Sequence, residues 1–263
     1  KISEIKKIMD TCNEIIKVLQ RNNYQINDDI QVRVKQLMEC LKDENKFQTL
    51  AQVKEWLDDQ RKKCPMETTE IPIHDLEKWK VDLKTGNITH DSGGFFSVVG
   101  LRVSNTVNRE VAGGWTQPII KQVEGILGIL CCNFNGVRHY LIDAKAEPGN
   151  IHKLQLSPTV QATLSNLKQL HGGKKTKFAE FFEESEDVLN AIPGVKVIYS
   201  QWLAEDGGRF YLKVNKNMLV EVDEHIEIIV PSNFIWLTMY QIKQLLKYDN
   251  LVGPHVRSII AHL

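Results

Sequence analysis

Two apolar runs, GILGILCCN (125–133) and VRHYLIDAK (137–145), meet across Asn133-Phe134-Asn135-Gly136. Asn-Gly supplies the positive backbone angles of a tight turn, so the pair is predicted as a β-hairpin. Both runs are apolar. The longest apolar stretch, GILGILCC (125–132), falls well short of the ~20 residues a membrane-spanning helix needs.

Residues 1–62 contain neither Gly nor Pro and are dense in Lys, Glu, Asp, Gln and Asn. Ile5, Ile8, Cys12, Ile15, Ile16 and Leu19 recur at steps of three and four, as one face of a helix does. Ile30, Val34, Leu37, Met38 and Leu41 repeat the pattern, and Leu50, Val53, Trp56 and Leu57 suggest a third helical piece. After Pro65 the texture changes. FFSVVGLRV (95–103), VKVIYSQWL (195–203), RFYLKV (209–214) and MLVEV (218–222) read as strands, continuing antiparallel. Helical patterns are expected at about 176–190, at 238–249 and from about 255 onward. The expected architecture is an α+β domain over 65–263 with a mixed or antiparallel sheet and flanking helices, preceded by a helical segment over 1–64.

Thirty-three basic and 33 acidic residues cancel. That balance argues against a nucleic-acid binder, which carries a basic excess. Five cysteines, Cys12, Cys40, Cys64, Cys131 and Cys132, form no CxxC pair, and the eight histidines show no metal-ligand spacing. No apolar signal segment follows Lys1, so the expectation is a reducing, cytoplasmic compartment and no membrane partner. The P-loop, the GxGxxG fingerprint, HExxH, GxSxG and SxxK are all absent. A reaction without metal or cofactor is the simplest starting point.

Chemistry concentrates in HYLIDAKAEPGN (139–150) and LQLSPTVQATLSN (154–166). The first carries Lys145 and Glu147. The second carries Ser157, Thr159, Gln161, Thr163, Ser165 and Asn166. A loop followed by a polar helix face accounts for such a stretch. So does a site that reads sugar hydroxyls, where each unpaired buried polar group costs ~1–3 kcal/mol. Trp115 beside Gln117 offers an aromatic face next to an amide, although a single Trp also serves as core.

These blocks resemble the nucleotide-hexose 2,3-dehydratases of deoxysugar biosynthesis. The likeness runs over about residues 70–263, through HDSGGFFSVVGLRV (90–103), GGWTQPIIKQVEGILG (113–128), the AKAEPGN and QLSPTVQATLSN runs, FYLKVNKNMLVEV (210–222), FIWLTMYQIKQLL (234–246) and HVRSIIAHL (255–263). The resemblance implies a nucleotide-linked, usually dTDP-linked, 4-keto-6-deoxyhexose substrate, a Nudix-like fold and no redox cofactor. The Nudix hydrolysis motif is missing. Family members carry two copies of this unit, whereas one is present here, so a homodimer is expected to replace the fused pair. The loop Leu203-Ala204-Glu205-Asp206-Gly207-Gly208 also departs from the family's L-Q-S-E-Q-G pattern.

The implied reaction removes water across carbons 2 and 3. The ketone at carbon 4 acidifies the hydrogen on carbon 3, a base takes it, and the hydroxyl on carbon 2 leaves, giving a 3,4-diketo-2,6-dideoxyhexose. Glu147 or His139 is the candidate base and Lys145 the candidate stabiliser of the enolate. Lys145 and Glu147 also fit a plain ion pair, and His139 a core histidine. Tyr199 and Glu205 are held in reserve. Trp115 and Gln117 are candidates for the nucleobase. Lys213, Asn217 and Arg257 are candidates for the diphosphate, with His171-Gly172-Gly173-Lys174-Lys175 as an alternative phosphate loop. Ser157, Thr159, Gln161, Ser165 and Asn166 complete the expected substrate contacts. The competing readings are a catalytically silent half that binds nucleotide sugar and pairs with another subunit, and a Nudix-type hydrolase, disfavoured by the absent motif.

Overall fold

A computed structural model describes residues 2–167 and 175–263 of the chain. The helical opening consists of α1 (Ile2–Arg21), α2 (Asp28–Leu41) and α3 (Leu50–Lys63). Local chemistry sets where α2 and α3 begin. The Asn27 side chain accepts from the Ile30 amide, and Thr49 and Gln52 form a reciprocal capping box. α3 buries Val53 and Leu57 completely in the main core, while Trp56 donates its indole N–H to the Ser232 carbonyl at 3.0 Å.

β1 (Trp79–Val81), β2 (Ile88–His90), β3 (Ser97–Ser104) and β4 (Gly114–Lys121) form a small antiparallel sheet in chain order. The larger, seven-stranded sheet is mixed. Its strands are β5 (Gly125–Phe134), β6 (Val137–Ala146), β7 (Leu154–Ser157), β8 (Val160–Thr163), β9 (Val195–Ala204), β10 (Val214–Val222) and β11 (Phe234–Thr238). The order is β11-β6-β5-β10-β9, with β7 beside β6 and β8 beside β5. The expected hairpin is β5–β6. Phe134 pairs with Val137, leaving Asn135 and Gly136 as a two-residue turn with φ 52° and 85°. β10 runs antiparallel to β9 but parallel to β5, so of the mixed or antiparallel sheet expected it is the mixed form that is found.

β5 is buried along Gly125–Cys132 because both sheet faces are covered. Leu127, Ile129 and Cys131 face α3 and two later helices, α6 (Met239–Leu245) and α7 (Pro254–Ile260). Ile126, Leu130 and Cys132 face Phe178, Phe182 and Leu189 on the other side. A Cβ on Gly128 would stand 2.4 Å from the Phe182 ring, so glycine there is what admits the phenyl group.

Two expected elements are rebuilt. RFYLKV is not a strand before Val214: Leu212 has φ 51°, and the Asp206 carboxylate closes a turn by accepting from the Gly208 amide and the Arg209 guanidinium. The aromatic alternation instead clamps that turn to β4, with Ile120 donating to the Arg209 carbonyl and accepting from the Tyr211 amide, each at 2.9 Å. The segment 176–190 is no continuous helix either. Phe178 sits at φ 62° to reach the core, a 3-10 turn spans Ala179–Phe181, and only α5 (Glu186–Asn190), capped by Ser185, is α-helical. The polar stretch 154–166 forms β7, β8 and the single turn α4 (Leu164–Leu167) rather than one helix face.

Candidate active site

The last backbone pair between β5 and β6, on the side away from the hairpin turn, is Leu130 with Leu141. Beyond it the strands part. The far half of β6 pairs with β7 and the near half of β5 with β8. Thr159, in the corner between β7 and β8, fills the fork: its hydroxyl accepts from the Leu130 amide at 2.8 Å and donates to the Leu141 carbonyl. The polar run that follows β6 is thereby folded back against the end of the sheet.

Glu147-Pro148-Gly149-Asn150 makes the return. The Asn150 amide nitrogen donates to the Lys145 and Lys153 carbonyls at 3.3 and 3.2 Å, pinning the turn. A cleft of about 350 Å³ opens at the fork. Into it converge Lys145 and Glu147 from β6 and its turn, Gln161 from β8, Asn166 from α4, Glu205 from beyond β9, Lys213 from just before β10, Asn215 from the start of β10, and His255 from α7.

The charged groups are held. Lys145 Nζ donates to the Gln161 carbonyl at 3.1 Å and lies 3.3 Å from Glu147 Oε1, which also accepts from Gln161 Nε2 at 2.9 Å. Across the cleft Glu205 accepts from the Asn215 side chain, and its amide donates to the Lys213 carbonyl at 3.0 Å. Lys213 is 7% exposed and donates to the Val123 carbonyl at 2.9 Å. Burial depresses its basicity, with Glu205 and Glu124 acting in the opposite direction. The cleft thus offers two ammonium groups, two carboxylates, four amides (Gln122, Gln161, Asn166 and Asn215) and an imidazole, with Phe210 and Leu127 as apolar wall.

Other expected site residues lie elsewhere. His139 is fully buried, some 20 Å along β6 from Lys145 at ~3.3 Å per residue. Its Nδ1 meets the Val137 carbonyl, its Nε2 accepts from the Lys46 amide, and Phe47 and Phe134 pack edge-on. Burial holds it neutral. Trp115 donates to Gln117 Oε1 at 2.7 Å, and Gln117 donates to the Gly208 carbonyl at 2.7 Å, so this pair braces the 206–212 turn that carries Phe210. Ser157 is buried at the end of β7, and Ser165 is paired with Thr163 at 2.9 Å. Asn217 is buried, bonded to the Asn215 carbonyl and the Ser258 hydroxyl. Arg257 bonds the Val252 carbonyl at 3.2 Å and does not line the cleft. Tyr199 stacks on His262 at 3.8 Å. His171 to Lys174 lie outside the described residues, and Lys175 is exposed. His255, Asn215 and Phe210 line the cleft without being among the expected site residues. His255 and Phe210 open two of the family-like blocks, which is the signal that marks them.

A mixed sheet covered by helices on both faces, with a polar cleft where its central hairpin forks, defines an α+β protein. The NUDIX domain of Shewanella oneidensis NrtR, complexed with ADP ribose, is among its structural neighbours at TM-score 0.29 and 12% identity, covering 53% of this chain and 84% of that one. The sequence model of the NDP-hexose 2,3-dehydratases matches residues 50–263, and the chain belongs to that family. It is 43% identical over 207 residues to a dTDP-4-dehydro-6-deoxy-alpha-D-glucopyranose 2,3-dehydratase from Saccharopolyspora spinosa, and 39% identical over 215 residues to one from Amycolatopsis orientalis. Those matches cover 78% and 80% of this chain but 40% and 44% of the relatives, so it spans less than half their length. Among the described residues no helix is long and apolar enough to cross a membrane.

Proposed function

We propose that the chain is a lyase that eliminates water across carbons 2 and 3 of a nucleotide-linked 4-keto-6-deoxyhexose, dTDP-linked as in the relatives' names, to give a 3,4-diketo-2,6-dideoxyhexose. It works in the cytoplasm as a homodimer. The observation that carries this reading is the convergence of Lys145, Glu147 and Gln161, from the two family-specific runs, in one cleft. Lys145 faces the substrate's carbon-4 oxygen and stabilises the negative charge that develops there, an effect worth about 10²–10³-fold for one such donor. Glu147, Gln161 and Asn166 hold the sugar hydroxyls. Lys213 lends positive charge on the opposite wall, on the side of the diphosphate.

A catalytically silent half that binds the nucleotide sugar is the second reading. The changed loop at Glu205-Asp206-Gly207-Gly208 favours it, because Glu205 at its start lines the cleft. Incubation with dTDP-4-keto-6-deoxyglucose, a 3-ketoreductase and NADPH separates the two. Loss of one water, read by mass spectrometry in the trapped product, is the expected result. Intact substrate that nevertheless binds would select the silent half.

A further inference from the structure

We infer that His255 is the base that removes the carbon-3 proton and the acid that returns it to the departing hydroxyl; this rests on the lyase reading above. The inference comes from position. Gly253, Pro254 and His255 begin α7 against the end of β7. Leu156 and Val252 form a parallel bridge, and the Gly253 amide donates to the Leu156 carbonyl at 2.9 Å. A Cβ on Gly253 would come within 3.2 Å of that carbonyl, so glycine lets the helix start close enough to deliver His255 to the cleft wall.

Glu147 Oε1 already accepts from Gln161 and faces Lys145; Glu205 is taken by Asn215; Lys145 and Lys213 each donate to a backbone carbonyl. No hydrogen bond from the described side chains holds the half-buried imidazole of His255, so one ring nitrogen is free to meet a substrate atom. Charged groups from each surrounding element face it: Glu205 beyond β9, Glu147 and Lys145 from β6 and its turn, and Lys213 before β10. Burial is the main cause that keeps the ring neutral, below the usual histidine range. Glu205 and Glu147 oppose that, and Lys145 and Lys213 reinforce it. The free ring is therefore a base at neutral pH, and the two carboxylates stabilise the imidazolium once it forms.

The step balances without a co-reactant. The carbon-3 hydrogen leaves as a proton to the imidazole, and its electron pair forms a carbon-3 to carbon-4 double bond, with the negative charge on the carbon-4 oxygen. That charge folds back to the ketone, a carbon-2 to carbon-3 double bond forms, and the carbon-2 to oxygen bond breaks. The imidazolium gives its proton to the hydroxyl, which departs as water. The enol left at carbon 3 takes a solvent proton at carbon 2 and becomes the ketone.

His255→Gln and His255→Ala, assayed with dTDP-4-keto-6-deoxyglucose, test this. The rate of water loss at saturating substrate should fall at least ~100-fold, the lower end for a positioned acid–base group. Substrate affinity, measured by calorimetry, should change by no more than a few-fold, and imidazole should restore part of the His255→Ala rate. In the unaltered protein the rate should fall as pH drops through the range below the ordinary histidine value, while binding holds. A variant that keeps its rate and that acid limb overturns the assignment. Should the variants fail to bind, an unaltered-protein rate that stays flat through that pH range overturns it instead. Unaltered protein that binds substrate yet eliminates no water overturns the lyase reading, and the role of His255 with it.

Discussion

Thr159 donates its hydroxyl to the Leu141 carbonyl at the point where β5 and β6 part. Because the same oxygen accepts from the Leu130 amide, one side chain closes the backbone ladder that the fork leaves open. Thr159→Val keeps the shape and removes both bonds in a fully buried place. Each stranded group costs ~1–3 kcal/mol, so the expected loss of stability for the two is about 2–6 kcal/mol in urea unfolding, with Thr159→Ser recovering most of it. A Thr159→Val protein as stable as the parent would mean that the fork is not held this way.

Gly128 makes a second test of the same sheet. Its missing Cβ is the space that the Phe182 ring occupies. Gly128→Ala should cost about 1–3 kcal/mol through overpacking, and Phe182→Leu combined with it should restore part of that loss, although Phe182→Leu alone destabilises. Additive losses in the double variant would contradict the contact.

Asp143, on β6 beside Ser157, gives a pH signature. Burial pushes its carboxyl up to about 6 from an ordinary 3.8, although Asn233 Nδ2 donates to it at 2.6 Å and Lys145 and Lys177 lower it further. The folded protein thus binds this proton more tightly than the unfolded chain does. The contribution to stability is full below the unfolded value and is lost as pH rises through about 6. Asp143→Asn keeps an acceptor for Asn233. It should match the parent near pH 4 and exceed it at pH 7.5 by up to ~3 kcal/mol, from two units at ~1.4 kcal/mol each. A gap that does not widen with pH would refute the assignment.

Lys145 is the residue on which charge stabilisation in the proposed reaction depends. Lys145→Gln should lower the rate of water loss about 10²–10³-fold with a far smaller effect on substrate affinity, since the developing oxyanion exists only after proton removal. A pure rise in KM would make Lys145 a binding group alone.

How much of this could be read from the residues follows the range of the interactions involved. The Asn135-Gly136 turn, the helical periodicity of 1–62 and the continuous apolar face of β5 are local signals, and they read correctly. Lys145, Glu147 and Gln161 also carry their signal locally, in two dense polar runs. The alternation of RFYLKV is equally local, yet its partner is a single residue of β4 some 90 positions earlier, so the segment became a clamp. Phe178 broke an expected helix because only a left-handed backbone brings its ring to the far face of a distant strand. His139 and His255 look alike as isolated histidines. The first is walled in by Phe47 from the helical opening, and the second is delivered to the cleft by a contact between Gly253 and Leu156. Neither contact has a signature along the chain.

The cleft at the β5–β6 fork is proposed to carry out an elimination. The most direct measurement is NMR of the reductase-trapped product formed from dTDP-4-keto-6-deoxyglucose in deuterated water. The predicted result is a sugar without its carbon-2 hydroxyl and with one solvent deuterium at carbon 2, placed there when the enol becomes a ketone. A sugar that keeps its carbon-2 hydroxyl after prolonged incubation with protein that demonstrably binds it would rule out elimination in this cleft.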